Sequence, residues 1–260
     1  MFISKLPKKS ILAGFIITLT ALGHTANAAV VLLNEYRSVS AGASISTPSG
    51  SDNASTSRNS LGDFADFNKS VDIDLSLEDA SAQGAAQQNS QISTTSIMAA
   101  GAVDANAEVT TIDQNYYYTS ANANGSTSLS IDFQVDTPQL FDLSGFVSSS
   151  IYSGYSSGYA EVSLRSQDGS FEISFRTPYW DGNTTPFDLS GTLFPNIYTL
   201  SANADIGANA YYYEEAVGGA AEFYLDFDVA AVPIPATVWL FGSGLIGLVG
   251  IARRKQINRV

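Results

Sequence analysis

The chain has no cysteine and only one histidine, His24. Disulfide staples, thiol chemistry and Cys/His zinc sites are therefore excluded, and so are histidine-based triads once His24 leaves with the leader described below. Charge is scarce, at 14% of residues against about 25% in a typical soluble domain. Basic charge is scarcer still. Of the 12 Lys and Arg, Lys5, Lys8 and Lys9 precede an N-terminal apolar run, and Arg253, Arg254, Lys255 and Arg259 follow a C-terminal one. Five remain between the runs, against all 25 acids (Glu35 to Asp228), so that stretch carries a net −20. Such a surface repels phosphate, which excludes nucleic acid as a partner. Sustained helical periodicity is also missing from the stretch between those runs, and a length of 260 residues suits one or two domains.

Both ends read as addresses. Lys5, Lys8 and Lys9 precede the apolar stretch Ile11–Leu22, and Ala26-Asn27-Ala28 supplies a small-x-small pattern. This is a secretory leader, residues 1–28, expected to be cut by signal peptidase between Ala28 and Ala29. At the other end Val232-Pro233-Ile234-Pro235 leads into 17 uncharged residues, Ala236–Ala252, closed by Arg253-Arg254-Lys255. That run is just long enough to cross a bilayer. The basic cluster should stay cytoplasmic, and Trp239 falls at the outer interface. Gly242, Gly244, Gly247 and Gly250 leave the helix with little bulk on one side. The two prolines keep the preceding chain extended and stop the helix from propagating outward.

The order Pro-x-Pro, Trp239-Leu240-Phe241-Gly242-Ser243-Gly244-Leu245, basic cluster resembles the PEP-CTERM sorting signal over Val232–Lys255. With Ile234 between its prolines, it is similar to the Val-Pro-x-Pro variant. The resemblance implies a Gram-negative bacterium that makes exopolysaccharide, with exosortase as the processing partner. It further implies transient anchoring in the inner membrane through residues 232–260, followed by transfer to the cell surface or release.

The body between the ends alternates with period two. Leu129, Ile131, Phe133 and Val135 are interleaved with Ser130, Asp132, Gln134 and Asp136. Val71–Glu78, Ala160–Leu164, Phe171–Phe175 and Phe223–Val229 follow the same rule. Turn signals separate them at Asp168-Gly169, Asp181-Gly182-Asn183, Pro138 and Pro195-Asn196. Strands with one apolar face bury it most simply between two antiparallel sheets about 10 Å apart. An all-β antiparallel sandwich of jelly-roll type is the expected fold.

Two copies of Phe-Asp-Leu-Ser-Gly, at 141–145 and 187–191, read as equivalent strands, each entered from a Thr-Pro pair. The continuation Leu193–Ala202 resembles a hairpin common in PEP-CTERM ectodomains. Residues 111–231 are expected to form the sandwich core. Residues 29–110 read as a Ser/Ala/Asn-rich segment joined to it, with a mobile loop at 46–60 and small-residue strands around 91–111. A β-solenoid is the alternative there. Small polar side chains bury little surface against an ordering cost of about 1–2 kcal/mol per residue.

Candidate chemistry is thin. Asp72 and Asp74, two apart on one strand face, could hold calcium at about 7 Å separation. Most other acids sit on the wet phase of strands, where they solvate the surface and block edge pairing. Exposed aromatic rings could seat sugars. The candidates are Tyr116–Tyr118, Tyr152, Tyr155, Tyr159, Tyr179-Trp180 beside the Asp181-Gly182 turn, and Tyr211–Tyr213. No catalytic set stands out. Together with the resemblance, the expectation is a non-enzymatic surface or extracellular-matrix protein that contributes to exopolysaccharide, biofilm or floc structure. The alternatives are a carbohydrate-binding module or adhesin, and a polysaccharide hydrolase with paired carboxylates.

Overall fold

The computed structural model describes residues 30–110, 119–152, 155–177, 182–211 and 215–232. The signal-peptide cut at Ala26, Ala28 and Ala29, the sorting-signal residues Pro233, Pro235, Trp239, Arg253, Arg254 and Lys255, and the pair Tyr179 and Trp180 lie outside them. Val232 follows the last strand.

Twelve strands account for most of the described chain: β1 (Val31–Thr47), β2 (Gly50–Leu61), β3 (Phe67–Leu77), β4 (Ala80–Ile92), β5 (Ser96–Val109), β6 (Ser120–Val135), β7 (Gln139–Ile151), β8 (Ser156–Ser166), β9 (Glu172–Arg176), β10 (Thr184–Leu193), β11 (Asn196–Tyr211) and β12 (Glu215–Ala231). They form two six-stranded antiparallel sheets, β2-β1-β6-β11-β8-β9 and β10-β7-β12-β5-β4-β3. The all-β sandwich expected from the alternation is therefore the fold. Within it, β5 to β12 wind as a jelly roll, with orders β10-β7-β12-β5 and β6-β11-β8-β9. Strands β1 and β2 extend one sheet beyond β6, and β4 and β3 extend the other beyond β5. The Ser/Ala/Asn-rich segment thus supplies five strands, and β5 lies inside the jelly roll itself.

Two expectations need correction, and one alternative falls. Residues 46–60 are not a loop: β1 runs to Thr47 and β2 starts at Gly50, paired through Thr47↔Gly50 to Tyr36↔Leu61. The small-residue strands expected around 91–111 are present as β5, which pairs antiparallel with β4 and β12, so the solenoid alternative falls. The segment after the second Phe-Asp-Leu-Ser-Gly is not a hairpin either, since β10 pairs with β7 and β11 with β6 and β8. The chain crosses between the sheets at Phe194-Pro195.

The physical reason for the first is the way small residues pack. One half of the interior is ordinary, with Leu129, Ile131, Phe133, Leu143, Leu200, Phe223, Leu225 and Phe227 buried between the sheets. The other half is built from Ala41, Ala43, Ala82, Ala105, Ala107, Ala121, Ala123, Ala208 and Ala210. There the sheets touch backbone to backbone. A Cβ added to Gly84 would lie 2.4 Å from the Asn124 carbonyl oxygen, and one on Gly125 would lie 2.4 Å from that of Ala85. Close approach replaces large side chains as the means of excluding water, so an Ala/Ser/Gly sequence can order without burying much surface per residue.

The repeated pentapeptide has a specific outcome. Its two copies pair with each other, antiparallel and centred on Leu189↔Leu143. Phe187 lies opposite Gly145 and Gly191 opposite Phe141. A Cβ added at Gly145 would fall 2.9 Å from the Phe187 ring and one at Gly191 2.7 Å from the Phe141 ring, so each missing Cβ makes room for the facing ring. Phe187 also stacks on Phe175 of the other sheet at 4.4 Å between ring centroids, joining the two sheets along that side. The Asp168-Gly169 turn is held by Asp168, which accepts from the Ser170 N–H (2.9 Å), the Ser170 hydroxyl (2.7 Å) and the Ser166 hydroxyl (2.8 Å). These bonds, led by the Ser170 backbone N–H, hold its carboxyl well below the usual range.

Candidate functional site

On β12 the inward phase is Phe223, Leu225, Phe227 and Val229, so Glu222, Tyr224, Asp226 and Asp228 face out. Register then fixes what lies beside them. Tyr224 is opposite Phe146 on one side and Ala100 on the other; Ala100 is opposite Asn89, and Asn89 opposite Asn68. The adjacent row reads Ser148, Glu222, Ala102, Gln87 and Ser70. Two alanines on β5 therefore form a low floor between longer side chains on β12 and β4. The result is a trough of 430 Å³ on the outer face of the sheet, with a second of 220 Å³ adjoining it at Asn89, Gln91, Met98, Ala100 and Tyr224.

Phe146 and Tyr224 stack at 6.1 Å between ring centroids and 25° between planes, forming an apolar wall. The Tyr224 hydroxyl lies 3.9 Å from the Met98 sulfur. Amides of Asn68, Gln87 and Asn89 line the opposite side, each able to donate and accept. From β7 to β4 the trough spans three strand spacings, about 14 Å. An aromatic platform facing paired amides is chemically suited to a polyhydroxylated chain, which has apolar faces and hydroxyl edges.

One end of this face is strongly acidic. Asp142 lies directly opposite Asp228, and Asp226 is two residues from Asp228 on the same face. Desolvation, with added repulsion from Asp228 and Asp142, raises the Asp226 carboxyl above its usual 3.8. The folded chain thus holds this proton more tightly than the unfolded one. Stability contributed by Asp226 protonation is present below pH 3.8 and lost as pH rises through the elevated value. Asp226→Asn is accordingly expected to raise the melting temperature by roughly 1 °C at pH 7, with the difference closing near pH 4. Thermal scans of both proteins at the two pH values check this.

The residues singled out from sequence fall elsewhere. Asp72 and Asp74 are exposed on β3, and Asp74 accepts from the Gln83 amide at 3.0 Å. Among the described residues, no group of three or more His, Cys, Asp or Glu is placed to hold a metal ion. Tyr152 and Tyr155 are well exposed, and Tyr155 meets Tyr211 edge to face at 6.4 Å. Tyr159 carries the Arg176 guanidinium over its ring at 4.3 Å. Neither Phe146 nor Tyr224 is among those sequence candidates. The signal that could have found them is phase: both are aromatic residues on the wet side of a strand whose other side is clearly apolar.

The outer face of the other sheet is different. Ser38 and Ser128 share a hydrogen bond of 2.8 Å, as do Ser163 and Ser201. A trough of 480 Å³ there is lined by Ser40, Gly42, Ser44, Asn53, Ser55 and Asn124, among others, with no aromatic ring. Without an apolar platform, such a surface must compete with water by hydrogen bonds alone.

The sequence matches no protein-family model and none of the curated proteins. Among solved structures, it aligns with the enzymatically active domain of tailspike protein 4 from Bacteriophage CBA120 at 14% identity and a TM-score of 0.23. That alignment covers 56% of this chain and 19% of the tailspike chain, so the chain spans about a fifth of that protein's length. A carbohydrate-binding module of the β-sandwich superfamily aligns at 10% identity over 77% of this chain and 84% of its own, with a TM-score of 0.17. A chain of infectious bursal disease virus Gx strain aligns at 7% identity over 79% and 62%, with a TM-score of 0.20.

Proposed function

We propose that this chain is an exported, non-enzymatic surface or matrix protein that holds neutral polysaccharide on the outer face of the β7-β12-β5-β4 region. The observation that carries the binding role is the row Phe146, Tyr224, Ala100, Asn89, which faces a stacked aromatic wall toward amide side chains across a shallow floor. Export and processing by exosortase rest on the leader at 1–28 and the tripartite signal at 232–260. The acids along the same face, and the net −20 between the two ends, select for neutral chains, since polyuronates would be repelled.

Binding to neutral glucans, mannans and galactans, set against uronate polymers, tests the reading. Tyr224→Ala and Phe146→Ala are each expected to weaken the best neutral ligand about tenfold, while leaving the melting temperature within a few degrees. Titration calorimetry with the two variants and the parent measures this. Turnover of any polymer in the panel would replace the binding role with a hydrolytic one. Equal binding by all three proteins would remove this face from consideration.

A further inference from the structure

Four strands form the open edges of the two sheets: β2, β9, β10 and β3. Three carry the usual obstacles to pairing with another chain. Strand β9 is only five residues long and contains Glu172 and Arg176. Strand β10 carries Pro186 and Asp188, and β3 carries Lys69, Asp72 and Asp74. Strand β2 is unlike them. It is 12 residues long, has no proline, and is largely exposed on both faces. Its charges are Asp52 and Arg58, opposite in sign and each three residues from Ser55. Among the described residues neither takes part in an ion pair.

We propose that β2 is an assembly edge that pairs antiparallel with β2 of a second copy, with Ser55 opposite its own counterpart on a twofold axis. In that register Asp52 lies opposite Arg58 of the second copy, and Arg58 opposite its Asp52, so one symmetric alignment forms two ion pairs. Ala54 lies opposite Thr56, Asn53 opposite Ser57 and Gly50 opposite Ser60. All are small or polar and able to pack on a pleated surface. The twofold is perpendicular to the sheet, because paired positions have the same parity. The inner faces therefore stay aligned, and two six-stranded sheets become one of twelve. The interface is isologous and closes at two copies. This assembly does not depend on polysaccharide binding, which uses the opposite sheet.

The absence of cysteine makes the register directly testable. Ser55→Cys gives the chain a single thiol facing its own copy, with Cβ atoms about 4.5–5.5 Å apart and a disulfide within reach of small local movement. Ser57→Cys puts the thiol opposite Asn53, about 13 Å along the strand from its own copy and out of reach. Under mild oxidation of full-length chain in detergent micelles, Ser55→Cys is expected to cross-link at least tenfold faster than Ser57→Cys. Adding Asp52→Arg or Arg58→Asp to the Ser55→Cys chain should slow cross-linking about tenfold or more, because like charges then face each other. Mixing those two charge variants should restore it, since each supplies what the other lacks. Equal rates for the two cysteine positions, or rates unaffected by charge reversal, would overturn the proposal.

Discussion

Replacing Arg37 with methionine should lower the melting temperature by roughly 10 °C. Arg37 and Glu35 face the interior from β1 and are almost completely buried. Their side chains are paired, Nε to Oε1. The other carboxylate oxygen accepts from the Asp63 N–H at 3.0 Å and the Ser60 hydroxyl at 3.4 Å. The Glu35 carbonyl accepts from the Gly62 N–H at 2.9 Å. Arg37 donates to the Ser90 hydroxyl at 3.2 Å and lies over the Phe67 ring at 5.1 Å. The pair therefore ties β1 to the point where the chain passes from β2 in one sheet to β3 in the other. Removing one partner leaves a charge without compensation in the interior, at a cost of about 3–5 kcal/mol. For a domain of this size each kcal/mol corresponds to about 2–4 °C. The double variant Glu35→Leu/Arg37→Met should recover most of the loss, because a dry core needs neither charge. Thermal unfolding followed by circular dichroism distinguishes the cases. A single variant that melts with the parent would show that the pair contributes nothing.

That pair also marks a limit on what alternation can reveal. In Val31–Val39 the apolar residues come first, and a strict period of two would put Val31 and Leu33 inside with Glu35 and Arg37. The structure exposes Val31 and Leu33 and buries the charged residues. The register shift between Leu32 and Asn34 reverses the phase, and nothing in the residue types announces it. Elsewhere alternation was sufficient. Leu129, Ile131, Phe133 and Val135 are all buried, and so are Phe223, Leu225, Phe227 and Val229. The repeated Phe-Asp-Leu-Ser-Gly was visible as an echo, but its partner was not, because pairing depends on which chain ends meet across the sandwich. The trough was hidden for a related reason. Phe146 and Tyr224 are 78 positions apart, and only the β7–β12 register brings their rings together.

Substituting alanine for Gly84 and Gly125 together is expected to destabilise the fold by about 3 kcal/mol or more, the second-largest effect foreseen. The added Cβ at position 84 would fall 2.4 Å from the Asn124 carbonyl oxygen and 2.8 Å from that of Gly42. At position 125 it would fall 2.4 Å from the Ala85 carbonyl oxygen and 3.1 Å from that of Asp104. These neighbours are backbone atoms of the opposite sheet, so no rotamer change relieves the clash, and the sheets must separate. Overpacking a tight core typically costs about 1–3 kcal/mol per site, and both sites here push on the same interface. Gly207 provides the control, since a Cβ there would approach nothing closer than the Ser157 atoms at 3.9 Å. Gly207→Ala should leave stability unchanged or raise it slightly by restricting the unfolded chain. Denaturant titration of the three proteins reads the difference. If the double variant were as stable as the parent, the small-residue half would not be held by direct backbone contact. Its Ala/Ser/Gly composition would then need another explanation. Separation of the sheets on substitution would instead tie that composition to the geometry that lets β1 to β5 join a sandwich at all.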